Sequence, residues 1–157
     1  MKHFRYLWYV TRHRWFVMVE CFRVGLYWRG LTHDLSKFSP SEWFAYADHF
    51  YGTRMGTQRD STGYYKPTDT GDLAFDLAWL HHANSNDHHW QWWCQPTDDD
   101  RLKTHCMSKT AVLEMVCDWR GASRAQGSKS TISEWYAANG QKMILHTATR
   151  GLVEDLL

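Results

Sequence analysis

The stretch LTHDLSKFSPSEW places a histidine and an aspartate side by side, at His33 and Asp34, with Lys37 three residues later. The chain has ten histidines, and four of them fall within HHANSNDHHW, residues 81–90. Imidazoles combined with carboxylates are typical ligands of divalent Zn, Mn, Fe, Co or Ni, whereas carboxylates alone favour Mg or Ca. The pattern therefore raises metal chemistry as one hypothesis, with a polar turn between two helices as the alternative.

Helical spacing dominates the sequence on both sides of this doublet. Apolar residues recur every three or four positions over about residues 3–30, where Gly25 is a weak point and Gly30 a plausible end. Next, SPSEW predicts a helix start, with Ser39 and Glu42 as a capping box, and a helix to about Tyr51. The doublet is therefore expected at the junction between two helices.

The rest of the chain predicts further helices and one long loop. Residues 52–71 are rich in Gly, Thr, Ser and Asp without periodicity, which favours a loop that could act as a lid. Helices are expected over about 72–84, 99–119 and 141–156, and STISEW adds a helix start with a capping box. No strand pattern stands out, so residues 1–157 are predicted to form a single compact all-α domain of about five to seven helices.

Helical spacing also predicts which polar side chains face inward. His82 continues the apolar stripe of the third helix, and His81 points about a third of a turn away. Glu114 and Asp118 are four residues apart and share a face, where their like charges require a cation or hydrogen bonds. A buried cation between helices would satisfy both observations.

Composition limits the other functional classes. The formal net charge is +1, which gives no electrostatic reason to expect a nucleic-acid partner. No apolar run approaches a membrane span, and the four cysteines form no CxxC pair, so a cytoplasmic protein with reduced thiols is expected. Aromatic residues make up 16% of the chain, which suits a helical domain that could form a homodimer.

His13, the HDLSK motif, the later histidines and an aspartate on a later helix together resemble the HD-domain metal-dependent phosphohydrolase superfamily, in its HDxxK-like variant. LTHDLSKFSPSEW, AWLHHANSNDHHW and EMVCDW are also similar to a family of short phage and bacterial proteins. The superfamily is all-α and binds one or two divalent ions. Many of its one-metal nucleotidases carry a Glu where Lys37 stands, so the resemblance favours the phosphodiesterase-like branch.

The resemblance also implies a set of ligands. The first ion would be held by the four residues that match the superfamily motif: His13, His33, Asp34 and Asp118. Glu114 is the rival of Asp118 for the last of these positions. Asp34 would bridge to a second ion held by further histidines, for which His82 and one of His88 or His89 are the candidates.

The implied reaction is hydrolysis of a nucleotide phosphoester or phosphoanhydride by metal-bound hydroxide, as in a nucleotidase, a dNTPase or a cyclic nucleotide phosphodiesterase. His81 or His88 would protonate the leaving group, and Lys37 would contact phosphate. Further phosphate contacts are expected from the predicted loop, through Arg54, Arg59 and Lys66. The stacking surfaces considered for a base are Trp79, Trp90 and Tyr65. The alternatives are an HD-type di-iron oxygenase, or a non-enzymatic phage protein that sequesters a nucleotide or a host factor.

Overall fold

The computed structural model describes residues 1–52, 60–61, 64–67 and 70–157. Within these ranges the chain forms α1 (Lys2–Arg23), α2 (Tyr27–Thr32), α3 (Pro40–Tyr51), α4 (Leu73–Ser85), α5 (Lys109–Gln126), α6 (Ile132–Asn139) and α7 (Thr147–Glu154). Two short strands, β1 (Cys94–Pro96) and β2 (Leu102–Thr104), pair in antiparallel fashion. Short 3₁₀ helices cover Leu35–Phe38, Trp90–Trp93 and Gly140–Lys142. The predicted all-α class is confirmed.

Helix α1 is the centre of the packing, since it contacts α2, α3 and α5. Its apolar face joins two clusters of buried side chains. The cluster shared with α3 and α4 contains Tyr6, Val10, Tyr46, Ala47, Phe75 and Ala78. The cluster shared with α5 contains Val17, Cys21 and Cys117. A third cluster, around Met115, joins α5 to the C-terminal helices. Burial of these faces holds the helices that carry the inward polar residues.

Gly121 allows α1 and α5 to approach closely. A Cβ atom at this position would lie 2.4 Å from Val17 Cγ2 and 2.7 Å from the Val17 backbone nitrogen. Gly121 lies one turn beyond Asp118 on α5, and Val17 lies one turn beyond His13 on α1. The missing side chain therefore lets the two helices come together where these two polar residues meet.

Three predicted helices differ from those observed. The helix expected over 3–30 is two helices, because Gly25 has φ +80° and breaks the ladder between α1 and α2. The helix expected from Asp99 begins only at Lys109, after the hairpin of β1 and β2. The last helix is shorter than expected, since a 3₁₀ turn occupies Gly140–Lys142 before α7.

The hairpin explains the late start of α5. Thr97 and Arg101 bond to one another across the turn, and Asp100 adopts the left-handed conformation with φ 59°. The acidic run that could have opened a helix therefore closes a turn instead. Ser108 is the actual N-cap, and its hydroxyl accepts a hydrogen bond from the Ala111 amide at 3.2 Å.

The two predicted capping boxes have different outcomes. Thr131 and Glu134 form the reciprocal pair, with bonds of 2.8 and 3.2 Å between side chains and amides. Helix α3 begins as predicted after Ser39, but the capping box there is wrong. The Glu42 side chain is fully buried and accepts hydrogen bonds from His81 and His82, because these tertiary partners compete successfully with the local amide.

The predicted loop over 52–71 lies largely outside the described residues, as do Arg54 and Arg59. Tyr65 and Lys66 lie in a described part of it, without helical structure. Among the helices of the described ranges, none is long and apolar enough to cross a membrane.

Candidate metal centre

Asp34 lies at the point where five parts of the fold meet. It follows α2 directly and has the left-handed backbone angles φ 54° and ψ 29°, which turn the chain into the 3₁₀ helix that carries Lys37. Arg14 of α1 fixes this turn, since it donates to the carbonyl oxygens of Leu31 and His33 at 2.8 and 2.7 Å. The Asp34 residue is only 1% exposed, so both carboxylate oxygens face the interior.

One oxygen of Asp34 faces the first group of metal-ligand atoms, termed site 1. Asp34 Oδ2 lies 3.4 Å from Nε2 of His13 on α1 and 3.4 Å from Nε2 of His33. Asp118 Oδ1, from α5, lies 3.2 Å from His13 Nε2 and 3.4 Å from His33 Nε2. The ligand atoms of His13, His33 and Asp118 therefore lie within 4.8 Å of one another, with Asp34 Oδ2 beside the two imidazoles, although these residues come from two helices and a turn.

The other oxygen of Asp34 faces a second group, termed site 2. Asp34 Oδ1 lies 3.4 Å from Nε2 of His82, on α4, and 3.4 Å from Nε2 of His88, in the turn that follows. His89 completes the group, with its Nε2 atom 2.9 Å from His82 Nε2. Both members of the 88–89 pair therefore contribute to site 2, where the sequence left the choice between them open.

Two buried glutamates hold the far nitrogens of these rings. Glu114 Oε1 lies 2.9 Å from His33 Nδ1 and 3.4 Å from His88 Nδ1. Glu42 Oε2 lies 2.9 Å from His82 Nδ1. A carboxylate at Nδ1 keeps a proton there and turns Nε2 toward the centre. Glu114, the sequence-level rival of Asp118, thus lies behind the imidazoles rather than in site 1.

Several atoms at the centre lack the hydrogen bonds that buried polar groups normally make. Among the residues that the structure describes, these include His13 Nε2, His33 Nε2, His88 Nε2 and Asp34 Oδ1, whereas Asp34 Oδ2 forms an ion pair with Lys37. Moreover, Glu42 fixes the proton of His82 on Nδ1, so an imidazole lone pair faces the Asp34 carboxylate at 3.4 Å. Lone pairs and anions that converge without a shared proton suit a cation between them.

The distances between donors also fit a cation. Bonds of about 2.1 Å to one ion place neighbouring donors about 3.0 Å apart at octahedral angles and about 3.4 Å apart at tetrahedral angles. The separations given above run from 2.9 to 3.4 Å, and all ligand atoms lie within 4.8 Å of one another in the group of His13, His33 and Asp118 and in the group of Asp34, His82, His88 and His89. These pairs therefore have the spacing expected of ligands to one transition-metal ion.

The charge states agree with this arrangement. Burial alone would raise the pKa of Asp34, but His33 and Lys37 hold it well below its ordinary value. The pKa of Asp118 is also held low against burial, because the imidazoles of His13 and His33 lie against its carboxylate. Burial keeps the pKa of His82 below its ordinary value, so this imidazole is neutral and can act as a donor.

Two cationic side chains, Lys37 and Arg29, contact carboxylates of the centre. Lys37 Nζ is 2.5 Å from Asp34 Oδ2, and its side chain is 15% exposed. Burial lowers the pKa of Lys37, but the Asp34 carboxylate outweighs burial and the net pKa is raised. Arg29 of α2 forms ion pairs with both Glu114 and Asp87. Lys37 is thus the cation in direct contact with the carboxylate shared by sites 1 and 2.

The other sequence candidates lie in different places. His81 is outside both sites; its side chain is 49% exposed and its Nδ1 atom lies 2.8 Å from Glu42 Oε1. Trp79 and Tyr65 line a cavity next to Lys37. Lys66 and Trp90 instead line a separate surface pocket.

Sequence reasoning missed three residues that shape this region. Glu42 was assigned to a cap, although its position on the inward face of α3 could have indicated burial. His49 is 2% exposed and lies between Asp72 and Tyr65, at 3.2 and 2.7 Å. Arg29 carried no local signal, because its two carboxylate partners are distant in sequence.

The described chain is thus a mostly α-helical domain with a buried centre of histidines and carboxylates. Comparison with family models matches residues 2–157 to a Family of unknown function (DUF5662), and the chain belongs to this family. Comparisons with curated proteins and with solved structures found no match.

Proposed function

We propose that the protein is a metal-dependent phosphohydrolase that acts on a phosphoester or phosphoanhydride of a nucleotide. The observation that carries the proposal is that Asp34 Oδ2 faces His13 and His33 while Asp34 Oδ1 faces His82 and His88, with Lys37 in contact at 2.5 Å. A shared carboxylate between two ligand groups is an arrangement suited to a pair of divalent ions, and a pair of ions suits phosphoryl chemistry.

The proposed ligands follow from the two sites. Site 1 would hold one ion through His13, His33, Asp34 and Asp118, and site 2 a second through Asp34, His82, His88 and His89. Their mixture of imidazole and carboxylate donors suits Mn, Fe, Co, Ni or Zn. When bound, such ions lower the pKa of coordinated water and offset the negative charge of a phosphoryl group.

The residues of the chain have separate tasks in this proposal. Lys37 offers a positive charge to a phosphate oxygen, at the edge of the centre. Glu42 and Glu114 keep the Nδ1 protons of the imidazoles in place, so that their Nε2 atoms face inward. Of the two expected proton donors, His88 is engaged with Asp34 through Nε2, which leaves His81 as the candidate for the leaving group.

Metal analysis and a substrate screen test the proposal. Protein purified without a histidine tag is expected to contain a transition metal, and His82→Gln should lower its content. His105→Gln is the matched control, because the side chain of this exposed histidine bonds to Gln95 and belongs to neither site. Hydrolysis of deoxynucleotides or cyclic nucleotides with Mn²⁺ or Co²⁺ is then measured. Wild-type protein without metal, at unchanged stability in chelator, would contradict the proposal.

A second candidate is an oxygenase with two irons. It is favoured by the number of imidazoles at the centre, since five histidines and two aspartates form the two groups. Iron in the purified protein, with O₂ consumption dependent on an organic substrate and no phosphate release, would support this candidate. Metal binding without either activity would support the third reading, a protein that sequesters a nucleotide or a host factor.

A further inference from the structure

A cavity of about 350 Å³ opens beside the metal centre, next to Lys37. Its walls include Tyr6 of α1, Tyr46 of α3, and Phe75 and Trp79 of α4, together with Lys37 and Tyr65. The ammonium group of Lys37 forms an ion pair with Asp34, and the Lys37 residue also forms part of the cavity wall. A phosphate held at Lys37 would leave the rest of its molecule within reach of the aromatic walls.

Among the described residues, two tyrosines that line this cavity have hydroxyl groups without a hydrogen-bond partner. Tyr6 is 2% exposed and Tyr46 is 5% exposed, and the oxygen of each side chain is buried. Burial raises the pKa of both groups, so each hydroxyl stays neutral and can either donate or accept. Buried hydroxyls are normally paired, so two unpaired ones on residues that line one aromatic cavity are consistent with a ligand that has polar edges.

The wall formed by Tyr65 is held in place from behind. His49 Nε2 lies 2.7 Å from the Tyr65 hydroxyl, and His49 Nδ1 lies 3.2 Å from Asp72 Oδ2. The His49 ring also stacks on Phe75, with 3.9 Å between ring centroids. With the proton of Nδ1 directed to Asp72, Nε2 accepts from the tyrosine. The aromatic surface is therefore supported by hydrogen bonds as well as by packing.

We infer that this cavity binds the base of a single nucleoside phosphate, with the hydroxyls of Tyr6 and Tyr46 bonded to the polar edge of the base. The inference rests on the proposed function, and it narrows the substrate class from nucleotides in general to mononucleotides. A base combines a flat face, which can stack on the aromatic walls, with hydrogen-bond donors and acceptors at its edge, which can bond to the tyrosine hydroxyls. The cavity is at the small end of ligand pockets, and this size favours a mononucleotide over a cyclic dinucleotide.

Calorimetric titration with nucleosides tests the inference without relying on hydrolysis. The protein as purified is titrated with adenosine, guanosine, cytidine and thymidine, and with ribose 5-phosphate as the probe that lacks a base. At least one nucleoside should bind, and Tyr46→Phe and Tyr6→Phe should each weaken it about tenfold, the loss expected for one buried hydrogen bond. Both variants should fold with equal or higher thermal stability, because each removes an unpaired hydroxyl.

Tyr136→Phe is the matched control, since this buried tyrosine accepts a hydrogen bond from Arg150 in a different cluster. It should keep nucleoside affinity and lose stability. Failure of every nucleoside to bind at millimolar concentration, or unchanged affinity in both Tyr46→Phe and Tyr6→Phe, would overturn the inference. Phosphohydrolase activity without nucleoside binding would refute only the inference that this cavity binds a base. Nucleoside binding without phosphohydrolase activity would refute only the proposed function.

Discussion

Replacing Asp34 by Asn is the most direct test of the centre. Asn has nearly the same shape and is among the residues that best tolerate the left-handed conformation, so the turn at φ 54° is kept. The substitution removes the negative charge that lies 2.5 Å from Lys37 Nζ. It also removes a carboxylate whose two oxygens face the two ligand sites, so metal binding should be lost at both.

The size of the effect follows from the burial of the pair. Removing one partner of a buried ion pair costs about 3–5 kcal/mol. Because the Lys37 side chain keeps 15% exposure, the lower end applies, at about 3 kcal/mol for the metal-free protein. For a chain of 157 residues this corresponds to a fall of roughly 6–12 °C in Tm.

A double variant separates the charge effect from the metal effect. Asp34→Asn with Lys37→Met removes both members of the pair, so it should regain most of the lost stability while still binding no metal. Thermal denaturation with and without chelator, together with metal content, measures both quantities. Chelator should lower the Tm of wild type and leave both variants unchanged. The reasoning is refuted if Asp34→Asn keeps the metal content of wild type, or if the double variant is as unstable as the single one.

Three further predictions follow from the same region. His33 has its pKa lowered by burial, but the neighbouring carboxylates, Asp34 above all, raise it to about 10, so it is protonated at pH 7 without metal. Metal uptake should therefore release a proton, and metal affinity should weaken as pH falls. Calorimetry in buffers of different ionisation enthalpy would measure the released proton. Metal uptake without proton release would contradict this prediction. Glu42→Gln should lower metal affinity about 10–100-fold in chelator competition, whereas Glu134→Gln, on the surface, should leave affinity unchanged. Gly121→Ala should destabilise the protein by about 1–3 kcal/mol in denaturant titration and weaken metal binding through Asp118, and a stability gain would refute the close helix approach.

Local spacing was enough to find part of the centre. The doublet of His33 and Asp34 was recognisable because the two residues are adjacent and precede a helix start that the sequence makes plain. His82 was found because an apolar stripe at helical spacing predicts which side of α4 is buried. Both inferences depend on residues within one element and its immediate flank, where a sequence pattern carries its full information.

Tertiary packing determines which of the polar residues on α5 and α3 reach the ligand sites, and this cannot be read from local spacing. Asp118 and Glu114 share a face of α5, so periodicity alone left both open as ligands. The contact of α1 with α5 at Gly121 places Asp118 against His13, and leaves Glu114 one turn away, behind the imidazoles. Glu42 shows the same limit, because its local pattern fits a cap and its actual partners are on α4.

The charges of the centre connect its geometry to phosphate. Among the described residues, five carboxylates and two cations lie around it: Asp34, Glu42, Asp87, Glu114 and Asp118, with Arg29 and Lys37. Once metal binding has displaced the proton of His33, the sum is three negative charges, which buried groups maintain only when a cation compensates. One divalent ion would leave one negative charge. A second would leave one positive charge beside Lys37, and this excess would attract a phosphate dianion into the aromatic cavity.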